Sequence, residues 1–192
     1  LEEAQKSPIF SRAVAFHHIP YGLDVAPLGQ TEPPGSLLGS RLLPTILFGA
    51  EDLKNARKGV KYAIEAINEL AKMAKHSPQG LGKNEISGSI DSLGDYSKRL
   101  QLWTFGKQLS SELLAMIDPA VVVKQWGYIS DRNVQGQLYR AADVFWLPSL
   151  EDNQPQTALE AMACGTAVVG FSVGGVPEIV RHDQTGLVVP AK

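Results

Sequence analysis

The sequence has very little cysteine and no long apolar run, and each shortage excludes a class of protein. Cys164 is the single cysteine in 192 residues, which excludes an internal disulfide and a cysteine-based zinc site. No segment approaches the roughly 18 apolar residues of a membrane span, and the first residues show no signal-peptide pattern. We therefore expect a soluble, cytoplasmic protein with no transmembrane segment.

The sequence also lacks an excess of charge of one sign. The 18 lysines and arginines and the 20 aspartates and glutamates give a net charge of −2. Because a nucleic-acid interface needs a basic stripe or patch, we expect no nucleic-acid partner.

Two phosphate-binding patterns are missing as well. Residues 49–59 read GAEDLKNARKG, which matches neither the G-x-G-x-x-G of dinucleotide-binding dehydrogenases nor the P-loop.

One stretch carries a complete unit of strand, helix and strand. Residues 143–147 (DVFWL) form a short apolar run that Pro148 ends, as in a buried parallel strand. From Gln156 the apolar residues follow a helical period until Gly165, which stands where a C-cap glycine belongs. Residues 166–171 are predicted to form the next strand.

Strands and helices alternate along the rest of the chain in the same way. Strands are predicted at residues 45–49, 99–105, 121–126 and 186–189, and helices at residues 59–74, 107–116 and 130–142. In the last of these helices we expect Val134, Leu138 and Ala141 to face inward, with Ser130 or Asp131 as the cap. The alternation predicts an α/β fold with a doubly wound, Rossmann-like parallel sheet.

Two segments do not fit this alternation. Residues 1–43 contain a strand-like run at 12–19 and then a stretch rich in Pro, Gly and Ser, which is typical of a linker. We expect residues 1 to about 40 to be poorly ordered or to pack against another copy of the chain, because an isolated strand has unpaired edges. Residues 75–98 have no apolar period and exceed the length of ordinary loops, so we interpret them as a mobile insertion.

Candidate functional residues follow the predicted strands, at the sheet edge where open α/β sheets bind ligands. The loop at residues 152–155 leads into a helix N-terminus whose unpaired N–H groups suit an anion. Glu160 stands further along that helix, and a carboxylate can accept hydrogen bonds from both hydroxyls of a ribose. The alternative is that Glu160 is a solvated surface residue. Arg57 and Lys58 begin another helix, where they either meet a phosphate or are simply solvated.

These residues also form a longer motif. Asp152 is followed, after seven residues, by EAMACG at 160–165 and then by GGVPEIV at 174–180. The motif resembles the donor-binding signature of the retaining GT-B glycosyltransferases of the group 1 family, which includes sucrose synthases and mannosyltransferases. The chain departs from the family's pattern at three positions. Asp152 replaces the usual Glu, Asn153 stands where Gly often follows, and Ala50 stands where some members have Arg.

The resemblance implies an enzyme, a retaining hexosyltransferase, whose donor is a nucleotide-diphosphate sugar and which needs no metal ion or other cofactor. It implies that residues 44–192 are the C-terminal, donor-binding half of a GT-B fold without its last helices. Residues 1–43 would then be a remnant of the preceding domain and the interdomain linker, and their exposure would favour self-association. Since the N-terminal acceptor-binding domain would be missing, we expect the 192-residue chain to bind its donor without transferring the sugar.

The resemblance also assigns roles to individual residues. Glu160 would hold the ribose hydroxyls, and Lys58, together with Arg57, would neutralise the diphosphate. Asp152 would be the catalytic residue, close to the anomeric centre or to a sugar hydroxyl. The other predicted contacts belong to a turn beside the base and to a loop whose amides would cradle the phosphate and the sugar: Gly127 and Tyr128, and Asn153, Gln154, Pro155, Gln156 and Thr157.

Two other interpretations stay open at this point. The departures from the family's motif suit a nucleotide-binding or assembly module that has kept the fold and lost catalysis. A remote alternative is an α/β hydrolase, because GFSVG at 170–174 matches the G-x-S-x-G pattern around a nucleophilic Ser172. Its triad would need His182 and Asp183, which leave no room for separate strand-end loops.

Overall fold

Six parallel strands form one sheet in the computed structural model, which describes residues 6–8, 15, 22–29, 43–50, 55–76 and 100–191. The strands are β1 (Thr45–Ala50), β2 (Leu100–Gly106), β3 (Val121–Gln125), β4 (Val144–Leu147), β5 (Ala167–Phe171) and β6 (Gly186–Val189). They are ordered β3-β2-β1-β4-β5-β6, and every neighbouring pair is parallel. The predicted doubly wound, Rossmann-like sheet is therefore confirmed.

Among the described residues, five helices connect the strands, and two of their ends carry the predicted sequence signals. The helices are α1 (Val60–His76), α2 (Ser111–Ala115), α3 (Arg132–Ala141), α4 (Gln156–Ala163) and α5 (Val176–Ile179). Asp131 precedes α3, and its side chain accepts hydrogen bonds from the first-turn N–H groups. Gly165 follows α4 with a φ of 82°. Both are ordinary helix boundaries, so the predicted cap at Asp131 and the predicted C-cap glycine are confirmed.

Alternate residues of the central strand face opposite layers of the core. Ile46 and Phe48 of β1 pack with Ile64 of α1 on one side of the sheet. Leu47 packs on the other side, in the cluster that contains Leu138 of α3. Because helices cover both faces of a doubly wound sheet, its central strands are largely apolar, and the polar Gln101 and Thr104 of β2 are buried.

The predicted strands agree with the observed ones to within one residue at each described end, whereas the helices differ more. The helix predicted at 107–116 is shortened to Ser111–Ala115, because the Ser110 side chain accepts the Leu113 N–H and caps the helix there. The predicted inward position of Val134 is wrong. This side chain is exposed and belongs to neither described core cluster.

Helix α1 continues further than the sequence pattern indicates. It runs to His76, so the insertion predicted from residue 75 begins inside the helix, and the rest of that insertion lies outside the described residues. Within the described ranges, no helix combines the length and the apolar character that crossing a bilayer requires.

Part of the N-terminal segment packs on the domain. A 3₁₀ turn at Ala26–Leu28 buries Leu28, and Arg140 of α3 donates hydrogen bonds to the carbonyls of Leu28 (2.9 Å) and Gly29 (3.0 Å). Leu28 and Gly29 therefore contact a helix of their own chain, which differs from the expectation for the N-terminal segment. Apart from residue 15, the strand predicted at 12–19 lies outside the described residues.

Candidate functional site

A cavity of about 510 Å³ opens at the carboxyl ends of β1 and β4. The direction of strand succession reverses between these two strands, because β2 and β3 follow on one side of β1 whereas β5 and β6 follow on the far side of β4. Ligands of open α/β sheets bind at such a switch point. The cavity is lined by the ends of β1, β2 and β4, the turn after β3, and the first turns of α3 and α4.

Lys58 enters the cavity from a tight turn that follows β1. The turn is a 3₁₀ helix at Ala56–Lys58, and Gly59 then adopts a left-handed conformation with a φ of 66°. A Cβ at Gly59 would lie 1.8 Å from the Pro148 carbonyl oxygen. Glycine is required here on both counts, since it permits the left-handed turn and the close approach of the loop after β4.

Lys58 forms an ion pair with Asp152 at the cavity. Its Nζ donates a hydrogen bond to Oδ2 of Asp152 at 2.9 Å. The two side chains are 36% and 14% exposed, so the pair is partly solvated. An ammonium group has three N–H donors, and this hydrogen bond uses one of them. Lys58 can therefore donate to an anion in the cavity as well.

Glu160 is buried in the cavity wall. The residue is only 3% exposed, so the interpretation of Glu160 as a solvated surface residue is wrong. Its Oε1 accepts a hydrogen bond from Nη1 of Arg132. Its Oε2 accepts from Nε2 of Gln135 at 3.0 Å and from the Tyr139 hydroxyl at 2.9 Å. A buried carboxylate is costly unless it is paired and hydrogen-bonded, and this arrangement meets both requirements.

The Tyr139 hydroxyl that donates to Glu160 stays protonated at neutral pH. Its ring is fully buried and lies edge-on to Phe105 and Phe145, with centroid separations of 5.7 and 5.5 Å. Burial, together with the negative charge of Glu160, raises the pKa of Tyr139 well above its usual value. The hydroxyl therefore keeps its proton throughout the neutral pH range.

Gly174 and Gly175 lie close to the backbone of the loop between β4 and α4. A Cβ at Gly174 would lie 2.0 Å from the Asp152 carbonyl oxygen, and one at Gly175 would lie 1.6 Å from the Asn153 oxygen. The Gly175 N–H also donates to the Asp152 carbonyl at 3.0 Å. Larger side chains at 174 and 175 would displace the loop, so the glycine pair positions Asp152.

Most of the residues predicted for the site line this cavity. They are Lys58, Tyr128, Asp152, Gln154, Pro155, Gln156, Thr157 and Glu160. Three predicted residues, Gly127, Asn153 and Arg57, are not among the described residues that line it. The Arg57 side chain is exposed, and its Nη1 lies 3.8 Å from Oε2 of Glu151. Arg57 therefore lies outside the cavity in this structure.

The sequence prediction missed Arg132, Gln135 and Tyr139, which surround Glu160. On α3, Gln135 follows Arg132 by three residues and Tyr139 follows Gln135 by four, so the three side chains share one face of that helix. A helical wheel could have found them, because it places polar groups on the same side as the buried Leu138. It could not have named their partner, since Glu160 belongs to a different helix.

The side chains expected for a hydrolase do not form a triad. The Nδ1 atom of His182 accepts the Val188 N–H at 3.1 Å, and its Nε2 lies 3.6 Å from Oδ2 of Asp183. Both ring nitrogens are therefore directed to groups other than Ser172, whereas a triad needs one of them to face the nucleophile.

Within the described ranges, no group of three or more His, Cys, Asp or Glu side chains is placed to hold a metal ion.

Comparisons with known proteins bear on the family and the fold of this chain. Residues 44–192 match the family model described as "Glycosyl transferases group 1". A D-inositol 3-phosphate glycosyltransferase of Corynebacterium jeikeium is 33% identical over 134 residues, which are 69% of this chain and 28% of that protein.

Solved structures share the fold. Sucrose-phosphate synthase from Thermosynechococcus elongatus matches with a TM-score of 0.64 and 25% identity, over 98% of this chain and 43% of that one. HepE of Anabaena, in complex with UDP and glucose, matches with a TM-score of 0.59 and 21% identity, over 89% of this chain and 42% of that one.

The extent of these matches defines what is shared. This chain spans less than a third of the length of the curated relatives it matches. The family model, however, covers the whole sheet with its cavity at the switch point, from β1 to β6. The chain thus has the Rossmann-like architecture of a GT-B domain and belongs to the group 1 family of glycosyl transferases.

Proposed function

We propose that this chain is the donor-binding domain of a retaining glycosyltransferase and that its cavity holds a nucleotide-diphosphate sugar. The observation that carries the proposal is that Lys58 and Glu160 line the same cavity. A cation suited to a diphosphate and a carboxylate suited to a ribose are thus within reach of one ligand. The cavity volume, about 510 Å³, falls inside the ~300–1,000 Å³ that is usual for small-molecule sites.

Lys58 and the start of α4 would receive the diphosphate. Lys58 has N–H donors beyond the one that it gives to Asp152. Pro155 precedes α4 and makes no side-chain hydrogen bond to it, so no side chain of the cap competes for the N–H groups there. Such groups, together with the helix dipole, favour an anion. Gln156 and Thr157 also line the cavity at this point.

The base and the sugar would occupy the two remaining parts of the cavity. Tyr128 lines the cavity and is 77% exposed, so its ring offers an aromatic face for a base. Asp152 would lie near the anomeric centre or a sugar hydroxyl. The UDP in the HepE structure makes uridine nucleotides the first candidates for the donor.

The chemistry would consist of stabilising the departing diphosphate. As the bond between the anomeric carbon of the sugar and the diphosphate oxygen breaks, negative charge grows on the leaving diphosphate. A positioned lysine and backbone N–H groups stabilise that charge without a metal ion. The acceptor would be held by another domain, and the chain spans less than a third of its curated relatives. We therefore expect the 192-residue chain to bind the donor without transferring the sugar.

A second candidate is a nucleotide-binding module of the same fold without catalysis. It is favoured by Asp152, whose side chain is one methylene shorter than Glu and is tied to Lys58 at 2.9 Å. Sugar-transfer assays of the full-length protein with a panel of donors distinguish the two candidates, since only the catalytic one predicts turnover.

Calorimetry with UDP, GDP, ADP and their sugar derivatives tests the proposal. A hydrogen bond to a charged group contributes about 1.5 to 3 kcal/mol, so Glu160→Ala should weaken the preferred nucleotide about ten- to a hundredfold. Glu65→Ala, which removes an exposed carboxylate on α1, is the matched control. Unchanged affinity in folded Glu160→Ala would remove Glu160 from the site, and a wild-type chain that binds none of these nucleotides would refute the proposal.

A further inference from the structure

Arg132 is placed to act on a ligand as well as on Glu160. It begins α3 and lines the cavity, and its side chain is 37% exposed although that of its partner Glu160 is almost fully buried. Its Nη1 donates to Oε1 of Glu160 and, at 3.1 Å, to Oε1 of Gln135. A guanidinium has five N–H donors in a fixed planar arrangement. The N–H groups on Nη2 and Nε take no part in these two contacts.

The hydrogen bonds of Glu160 limit what that residue can do alone. Each carboxylate oxygen has two acceptor sites. Both sites of Oε2 are used, by Gln135 and Tyr139. One site of Oε1 is used by Arg132, so one acceptor site of the carboxylate is left for a ribose hydroxyl. A ribose presents two neighbouring hydroxyls, and the second one needs a different partner.

We propose that Arg132 is a specificity-determining residue of the donor site: it fixes Oε1 of Glu160 and donates from its remaining N–H groups to the ribose hydroxyl oxygens. One hydroxyl then donates to Glu160, and its neighbour accepts from Arg132. This inference rests on the proposed function, in which Glu160 binds the ribose. The chemical group recognised is a vicinal diol, and the consequence is selection of ribonucleotides over deoxyribonucleotides.

A purely structural Arg132, which would serve only to balance the charge of Glu160, predicts a different outcome. Its loss would lower stability and weaken all ligands to a similar degree. A site residue, in contrast, affects ligands that carry both hydroxyls and spares those without a ribose. The ratio of affinities for a ribonucleotide and its deoxy form is therefore the informative measurement, because a general loss of stability does not change it.

The test is calorimetry on the 192-residue chain with UDP, GDP and ADP, with the 2′-deoxy and 3′-deoxy forms of the one that binds best, and with inorganic pyrophosphate. We expect wild type to prefer the ribonucleotide about tenfold or more over at least one deoxy form, as a lost hydrogen bond to a charged group predicts. Arg132→Ala should reduce this preference to less than about threefold and leave pyrophosphate affinity unchanged. Arg181→Ala, an exposed arginine that does not line the cavity, should behave as wild type.

Arg132→Lys keeps the test decisive if the alanine variant folds poorly. A lysine retains the charge beside Glu160 but lacks the planar set of donors, so it should keep the melting temperature and lose the preference for ribose. Wild-type discrimination in Arg132→Lys or in folded Arg132→Ala would overturn the inference, as would an equal loss for pyrophosphate. If Glu160→Ala weakens UDP while Arg132→Ala leaves the ratio intact, this inference alone fails. If wild type binds no nucleotide, the proposed function fails with it.

Discussion

Replacing Asp152 by asparagine should release Lys58 and strengthen diphosphate binding. The substitution keeps the shape of the side chain and removes the charge that holds Lys58 Nζ at 2.9 Å. Two unit charges 4 Å apart attract by about 1 kcal/mol in water and by about 4 kcal/mol at an effective dielectric constant of 20. Since Lys58 is 36% exposed, solvent screens the pair, and partly exposed pairs contribute about 1 kcal/mol or less.

Removing about 1 kcal/mol of competition corresponds to roughly fivefold tighter binding. Repulsion between the Asp152 carboxylate and the ligand is lost at the same time, which acts in the same direction. Calorimetry with pyrophosphate and UDP measures the gain, and high salt should reduce it. Glu151→Gln is the matched control, because that neighbouring carboxylate is exposed and faces Arg57 at 3.8 Å. Weaker binding by Asp152→Asn would refute the reasoning, since it would mean that Asp152 orients Lys58 for the ligand.

Two further substitutions, Tyr139→Phe and Gly59→Ala, test the groups that support the cavity, and Gly165→Ala serves as the comparison for the second. Tyr139→Phe strips one donor from Glu160 and should lower the free energy of unfolding by about 1.5 to 3 kcal/mol in urea titrations. Because the pKa of Tyr139 is raised on folding, wild-type stability should also fall as the pH rises above about 10, the pKa of an unfolded tyrosine, and the variant should lack this component. Gly59→Ala and Gly165→Ala both put alanine at a positive φ, which costs about 1 to 2 kcal/mol, but only the first meets a neighbour, the Pro148 oxygen at 1.8 Å. Gly59→Ala should therefore be the more destabilising of the two and should also weaken UDP binding, and equal effects would argue against a positioning role for this glycine.

The sequence predicts the architecture well because the sheet depends on local patterns. Each strand is rich in apolar residues, and Asp131 and Gly165 mark helix boundaries through contacts within a few residues. The failures occur where burial depends on distant neighbours. Val134 keeps a helical period with Leu138, yet it is exposed because periodicity gives the face of a helix and not how far the core extends along it.

The candidate site could be predicted only in part for a related reason. Lys58 and Asp152 meet across 94 positions, and their contact follows from the strand order, which places β4 directly beside β1. The family resemblance assigned both residues to one donor site but did not predict their contact. The resemblance assigns no role to Arg132. The sequence shows this residue only as one polar residue near a predicted helix N-terminus.

The charges of the cavity indicate how a donor would be oriented. Among the described residues that line it, four are charged, namely Lys58, Arg132, Asp152 and Glu160, and two cations cancel two carboxylates. A diphosphate therefore gains no attraction from the net charge and must draw a cation toward itself. Arg132 is held to a carboxylate that two further donors fix in place, whereas Lys58 is held by a single hydrogen bond in a partly solvated pair. The cation that can turn toward the ligand at lower cost is thus Lys58, which assigns the diphosphate to its end of the cavity and leaves the ribose to the end at Glu160.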